Sequence, residues 1–487
     1  MNGEDRRFFR LAFGIIAAVT LIRVAVLILT PLNFYPDEAQ YWWWAQTPDL
    51  GYFSKPPMIG WIIWLTTAIF GNVEWSVRLA APLLHAGTAL LLFGIGRRVA
   101  DVCVGFWSAL AYLTLPGVAY SSGLISTDVP LLFFWAMALY AFLHAMEEPG
   151  WRWPLLCGAA IGLGLLSKYA MAYFILCASI AAIASPKVRR VVLSLRGLAI
   201  LILALMILSP NIWWNAQHHF ATVSHTQHNA NWSHVRFDVL SLLGFLAGQF
   251  GVFGPILMVG LAAAFWRLAR GPVRSEWELV LAAFCIPPLL IIAVQAFISE
   301  ANANWAATAY IAAVPLTVAA LLQFWNGRVL WASFALHGLA ILMLWAVFLS
   351  PAFADVVGLG NAFKRMEGWG AEGQAVAAEA SHESYDAIVS DNRSVIAELL
   401  YYARPRHVPL FMWVRDNQTR DHFQMTLRLT SATRHVLLVT EPSMAPAVLV
   451  TFDSHVPIRT LVVPVGGHHT RVTALFDARD YRGPQTR

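Results

Sequence analysis

Long uncharged runs constrain this chain more than any other feature. A hydrocarbon layer about 30 Å thick takes roughly 20 apolar residues of helix to cross. Runs of about that size lie at residues 10–31, 76–97, 103–123, 127–146, 153–168, 169–185, 194–213, 239–266, 277–298, 305–325 and 329–350. Residues 58–70 form a shorter run that follows two prolines, so it reads as a juxtamembrane or re-entrant helix rather than a crossing. Charged residues make up only 13% of the 487 positions and hydrophobic ones 58%, where a soluble domain carries about 25% charge. The fold class expected is a polytopic α-helical membrane protein. The N-terminal string MNGEDRRFFRLAFGIIAAV begins like a signal peptide, but its apolar run reaches Pro31 without a small-residue cleavage site, so it reads as an uncleaved first span. The net charge of +5 falls in scattered loops, with no basic stripe for nucleic acid. The four cysteines (Cys103, Cys157, Cys177, Cys285) lie in apolar runs without paired spacing and give no redox compartment.

Loop charge orients the spans. With a cytoplasmic N-terminus and 58–70 not crossing, the cytoplasmic segments hold Arg6, Arg7, Arg10, Arg97, Arg98, Arg152, Lys187, Arg189, Arg190, Arg196, Arg267, Arg270, Arg274 and Arg328. The opposite side, up to residue 350, holds Lys55, Arg78, Lys168 and Arg236. This is the positive-inside asymmetry, and counting 58–70 as a span would destroy it. The first outer loop, 32–75, and the C-terminus are then both extracytoplasmic. Residues 1–350 read as the membrane domain and 351–487 as a small α/β domain. In the latter, YDAIVSD, HVLLVTEP and RTLVVPV have strand character and RSVIAELLYYAR has helical spacing. The tail from Tyr481 is expected to be disordered.

The first outer loop holds the densest chemistry, YPDEAQYWWWAQTPDLGYFSKPPM from Tyr35 to Met58. Asp37 and Glu38 can be a solvated helix start, since acids favour the first turn. They can equally supply a partly desolvated carboxylate acting as general base, with the tryptophans anchoring a short helix in the headgroup layer. Lys55, before Pro56 and Pro57, is either a snorkelling anchor or a fixed cation for an anionic group such as a lipid phosphate. Asp128, in GLISTDVPLLFFW, can cap its helix, and it is also an acid entering an apolar bundle, which marks a functional candidate. Lys168, in LLSKYAMAYF, reaches the same face and can pair with an acid or hold phosphate.

Five histidines (His218, His219, His225, His228, His234) follow PNIWWNAQ, without the spacing of a zinc motif. With Glu300, Asn304 and Trp305 of SEANANWAATAY, this Asn- and Trp-rich surface suits sugar or acceptor contacts. No G-x-x-x-x-G-K-[ST] cradle is present for a nucleotide donor. An outward site with carboxylates, cations and headgroup-level aromatics fits a lipid-linked phosphosugar.

The series PDEAQYWWWA, LGYFSKPPM, STDVP, LSKY, PNIWWNAQHH and ANANWAATAY, over residues 1–350, resembles the polyprenyl-phosphate-sugar-dependent glycosyltransferases of the GT-C class. These include protein O-mannosyltransferases and lipid A aminoarabinose transferases. The chain is most similar to bacterial members that decorate lipopolysaccharide, including galacturonic-acid transferases of rhizobia-like bacteria. The resemblance implies about 11–13 transmembrane helices, juxtamembrane helices in the first outer loop, and a bacterial inner-membrane location with a periplasmic site. It implies an inverting displacement that releases polyprenyl phosphate and loads lipid A, core oligosaccharide or another envelope glycan. Asp37 would then be the base or acceptor-orienting carboxylate, with Glu38 in support. Lys55 would contact the lipid phosphate, with Tyr41 and Tyr52 lining that site, and Asp128 would be the second acid. A divalent metal is one cofactor the resemblance allows. Ser54 departs from it, because aminoarabinose transferases carry an acid there, and that departure bears on metal binding and on aminosugar specificity. Two alternatives are transfer to protein Ser or Thr, and a transporter or flippase for a lipid-linked sugar. A transporter calls for ionisable residues at mid-membrane, where only Arg23 stands.

Overall fold

The structure, a computed structural model, describes residues 3–230, 237–271, 275–325, 327–405 and 407–484. His234, Arg236 and Arg274 of the sequence reading lie outside the described residues. By contact the chain divides into two compact units. One comprises Met1–Leu27, Lys55–Ile62 and Arg78–Trp345; the other comprises Ile28–Ser54, Ile63–Val77 and Ala346–Arg487.

The first unit is helical because its sequence leaves the backbone no other way to satisfy its polar groups in lipid. Among the described residues six helices are long and apolar enough to cross a membrane, or seven if a bent pair counts as one span: Gly3–Leu29, Glu74–Val99, Asp128–Ala145, Leu195–Gln217, Glu276–Ile298 and Arg328–Leu349 are the six. Shorter apolar helices include Met58–Phe70, Val102–Thr114, Arg152–Ser167, Tyr173–Ala184 and Ala309–Trp325. Leu21, Ile183, Leu195 and Leu240 face outward, as lipid-facing side chains do.

Inside, packing replaces the hydrophobic effect as the force that joins helices. Trp135, Phe174 and Phe284 meet edge to face, with centroids 5.3 Å apart for the first pair and 4.7 Å for the last two. Gly96 and Gly105 let two successive helices touch. A Cβ on Gly96 would stand 2.8 Å from the Gly105 Cα.

Ion pairs tie together one set of helix ends. Arg97 pairs with Asp5 at 2.8 Å and Arg98 with Glu147 at 2.8 Å. Lys187 reaches Glu276 at 3.5 Å, and Arg267 pairs with Glu278. These are the ends that the loop-charge argument placed on one side. Asp128, Lys168 and Asn304 lie at opposite ends of their segments and meet one another there. The buried Arg23 donates from Nη2 to the Leu113 carbonyl at 2.6 Å. Last-turn carbonyls lack an intrahelical donor, and Val102–Thr114 ends at the Leu115–Pro116 break.

Two expected spans are corrected. Residues 103–123 are broken at Leu115 into Val102–Thr114 and Pro116–Ser121. Residues 239–266 are not one helix: Val239–Phe253 and Pro255–Arg270 are bent by 109°. Gly254 sits at φ 89°, where a side chain would be strained, and Pro255 has no N–H to continue the first helix. Val239–Phe253 stays beside the Asn304 segment. The Asp238 N–H donates to the Phe297 carbonyl at 2.8 Å, and Gln249 Nε2 to the Ala303 carbonyl at 3.2 Å.

The second unit contains a five-stranded sheet: β1 (Ala387–Ser390), β2 (Leu410–Met412), β3 (His435–Thr440), β4 (Phe452–Val465) and β5 (His469–Tyr481), in the order β2-β1-β3-β5-β4. β1 runs parallel to β2 and β3, and β5 is antiparallel to β3 and β4. Helix Arg393–Tyr402 makes the β1–β2 crossover that parallel strands require. The three expected strands and the helix are present. The expected disorder from Tyr481 is corrected: Tyr481 closes β5 opposite Phe452 and is buried.

Candidate active site

Asp37 begins with its helix. Pro36 stands in the first turn of Pro36–Gln46, where its missing N–H costs nothing. Glu38, two residues into the helix, turns back to accept the Tyr35 backbone N–H at 3.0 Å. Glu38 is buried and caps the helix. Pro36, Glu38, Ala39, Gln40, Tyr41, Trp42, Trp44 and Ala45 are all buried, and Asp37 is left half-exposed among them.

Arg393 meets that carboxylate. It opens the helix Arg393–Tyr402, whose N-cap Asn392 accepts the Ser394 N–H at 2.8 Å. Its Nη1 donates to Asp37 Oδ1 at 3.1 Å and to Gln40 Oε1 at 3.0 Å. The side chains are 41% exposed for Asp37 and 38% for Arg393, so both are open to a substrate. Sequence reading missed Arg393 because it lies 356 positions from Asp37, and a helix start after SDN carries no sign of its partner.

The expectation that the tryptophans float the helix in the headgroup layer is corrected. Trp42 and Trp44 are buried in protein. Trp42 donates to Asn72 Oδ1 at 2.8 Å, packs edge-on against Tyr401 and lies under the Arg404 guanidinium. Trp44 stacks on Tyr52 at 4.4 Å with an interplanar angle of 5°. Both rings meet His422 edge to face. The Tyr52 hydroxyl donates to the Trp44 carbonyl at 3.1 Å, and burial pushes its pKa up to about 12. Desolvation lowers the His422 pKa to about 4. Asp421 is raised by burial, with Arg393 opposing that shift. Tyr41 packs on Trp44 at 5.2 Å. This aromatic stack fixes the helix that presents Asp37.

In the helical unit Asp128 is the hub of a second constellation. It is the first residue of Asp128–Ala145, and both of its oxygens are engaged away from the helix end. Lys168 Nζ donates to Oδ1 at 2.7 Å and Asn304 Nδ2 to Oδ2 at 2.7 Å. Lys168 reaches it because the chain is extended there (φ −161°, ψ 134°), between Arg152–Ser167 and a 3-10 turn. Next to it the Tyr169 hydroxyl donates to Asn211 Oδ1 at 2.7 Å, and Asn215 Nδ2 donates to the Tyr169 hydroxyl at 3.2 Å. Lys55 is half-buried in the same unit.

Glu300 and Trp305 line a cavity of about 540 Å³ with Asn229, Ser241 and Asn302. His218 instead stacks on Trp214 at 4.0 Å and bonds the Trp214 carbonyl at 2.8 Å. His219 takes left-handed backbone, φ 53°, at the reversal into Ala221–Ala230. Among the described residues the group of three that could hold a metal ion is Glu383, His435 and Asp477, which lie around β3 and β5. With Lys168 on one oxygen and Asn304 on the other, Asp128 does not fit a divalent ion.

Comparison with known proteins gives this arrangement a context. Residues 54–214 match the family described as dolichyl-phosphate-mannose-protein mannosyltransferase. Over 430 residues the chain is 35% identical to lipid A galacturonosyltransferase RgtD of Rhizobium johnstonii, covering 88% of this chain and 90% of that protein. A stretch of 180 residues, 32% of this chain and 33% of the relative, is 30% identical to an undecaprenyl phosphate-alpha-4-amino-4-deoxy-L-arabinose arabinosyl transferase of Pseudomonas aeruginosa. In fold the chain is similar to ArnT from Cupriavidus metallidurans, solved bound to undecaprenyl phosphate. The TM-score is 0.66 at 17% identity, over 95% of this chain and 97% of that one.

Proposed function

The chain belongs to the GT-C glycosyltransferase family of lipid A galacturonosyltransferase RgtD and is itself a multi-pass membrane glycosyltransferase; on that premise we propose that it moves a uronic acid from a polyprenyl-phosphate donor to a lipid A-type acceptor. The observation that carries this reading is 35% identity sustained over 430 residues, 88% of the chain. The mannosyltransferase match covers only residues 54–214 and leaves out both Asp37 and Arg393.

In the proposed reaction an acceptor hydroxyl oxygen attacks the anomeric carbon of the donor. Its proton passes to the Asp37 carboxylate, and the bond from the anomeric carbon to the phosphate oxygen breaks with its electron pair on phosphate. Attack opposite the leaving group inverts the configuration. Asp37 is suited to the proton because it is half-exposed and oriented by Arg393 while its neighbours are sealed. Lys55 is assigned to the leaving phosphate, whose developing charge a fixed cation stabilises. Asp128 and Lys168 are assigned to holding the surrounding helices, and Glu300 and Trp305 to a sugar-sized cavity. The inner membrane, with Asp37 on its periplasmic side, is the location proposed. It is supported by the excess of Arg and Lys in the opposite loops.

The test is transfer by the full chain in nanodiscs, with polyprenyl-phosphate-linked galacturonate and lipid A, read by mass spectrometry. Lipid A heavier by one uronosyl residue is the expected product. Donor carried across the bilayer without glycoside formation would overturn the reading in favour of a flippase.

A further inference from the structure

We propose that Arg393 binds the carboxylate of the transferred uronic acid and so selects a uronate donor over a neutral hexose. This rests on the functional reading above and adds a substrate subsite to it.

The guanidinium is tethered by one nitrogen only. Its Nη1 serves both Asp37 Oδ1, at 3.1 Å, and Gln40 Oε1, at 3.0 Å. Among the described residues Nε and Nη2 make no hydrogen bond. Arginine grips carboxylates best through two parallel N–H groups along one edge. Asp37 does not take that bidentate edge; it takes a single N–H, and the Nε–Nη2 fork stays open. A group that served only to orient Asp37 would not need a second, unused fork on a side chain 38% exposed.

The surroundings favour an added anion. Asp421, the other acid facing Arg393, is shifted by burial toward its neutral form. Beside the pair, chain neighbours of both partners (Pro36, Asn392 and Ser394) line a cavity of about 630 Å³ whose lining does not include Asp37 or Arg393 themselves. Its wall carries Lys364, Arg365 and Arg471 against one acid, Glu441. That volume falls within the range of small-molecule sites, about 300–1,000 Å³.

The chemistry is discriminating. A uronic acid differs from the parent hexose only in a carboxylate where the hexose carries a hydroxymethyl group. A bound hydroxymethyl would shed water from the guanidinium fork without supplying a counter-charge, which is the kind of loss that rejects an analogue strongly. Lysine would supply the charge but not the fork. Arg393 touches Asp37 with one nitrogen and would hold the sugar carboxylate with the other edge, registering the sugar against the proton acceptor. An anion on this fork could also be the donor phosphate, and the experiment separates the two.

The full chain in nanodiscs would be given polyprenyl-phosphate galacturonate and polyprenyl-phosphate galactose, and kcat/KM compared for wild type, R393Q and R393K. The wild type should prefer the uronate donor by about 100-fold or more. In R393Q that preference should fall by roughly 10–100-fold, the range for a lost charge-assisted pair. R393K keeps a cation beside Asp37, so it tests the fork even where R393Q folds poorly; its preference should also fall, by less. Binding of sugar-free polyprenyl phosphate should be unchanged in both variants. Equal losses on the two donors would overturn the proposal and leave Arg393 as a residue that positions Asp37. A matching loss of polyprenyl phosphate binding would overturn it in favour of the phosphate. Wild-type turnover of galactose but not galacturonate would overturn it outright. Turnover of neither donor would instead bring down the functional reading on which it rests.

Discussion

Asp37 and Asp128 each stand with one cation and one amide, and the two trios are wired in opposite ways. Around Asp128 the acid is the hub: Lys168 takes one oxygen and Asn304 the other, both at 2.7 Å. Around Asp37 the cation is the hub: Arg393 binds the acid and the Gln40 amide through one nitrogen, and Asp37 Oδ2 makes no hydrogen bond among the described residues. The Asp128 side chain is 12% exposed and that of Asp37 41%. A carboxylate with both oxygens occupied is built to hold, whereas one with a free, accessible oxygen is built to take a proton. An acid, a cation and an amide are thus wired in two opposite ways, which suits Asp128 to a pin and, in the proposed reaction, Asp37 to the proton acceptor.

Asp37→Asn is the substitution expected to do most. The amide can still accept from Arg393, so the helix should stay in place and thermal unfolding should be near wild type. The lost base should lower kcat by roughly 10²–10⁴-fold. A variant that unfolds early, or one that keeps its kcat, would break the contrast with Asp128. Asp128→Asn should do the reverse and act first on stability. Removing one partner of a fully buried ion pair costs about 3–5 kcal/mol; with Lys168 22% exposed, the loss should sit at or below the lower end of that range. The double variant Asp128→Leu with Lys168→Met should recover part of it, as measured by thermal midpoint in detergent. A wild-type midpoint with lost activity in Asp128→Asn would make Asp128 a reacting group after all.

The sequence made the helical unit legible because lipid punishes every alternative, so apolar length alone located most helices. It failed at Gly254–Pro255, where hydropathy is continuous and only the dipeptide marks the bend. Asp37 and Asp128 were visible as ionisable residues in an apolar chain. Their partners were visible only in part: Lys168 and Asn304 shared a face by topology, but Arg393 lay in another segment altogether. The tryptophans misled for a related reason. Three in a row beside a membrane span suit the headgroup layer, yet Trp42 and Trp44 found Tyr401, Asn72 and Tyr52. Composition reports what a side chain can do, and only the tertiary contact reports which option is taken.

Smaller effects sharpen the contrast from the Asp37 side. His422 closes the stack behind the Asp37 helix, and burial holds its pKa near 4 against an ordinary 6.5. Its folded-state pKa is depressed, so protons bind the unfolded chain more readily. The neutral ring's contribution is therefore full above pH 6.5 and lost as pH falls toward 4. Thermal midpoints should drop across that window, and His422→Gln should flatten the drop; an unchanged slope would remove His422 from the support of this helix. Smallest of all should be the effect of Glu38. If it only caps the helix, Glu38→Gln keeps an acceptor for the Tyr35 N–H and should leave both activity and midpoint near wild type. Glu38→Ala loses the cap and should cost about 1 kcal/mol. If Glu38 shares the proton with Asp37, the order changes: Glu38→Gln would lose activity with its midpoint intact. The proton acceptor would then be the pair of acids rather than Asp37 alone, and Asp37 would no longer be the single counterpart of Asp128.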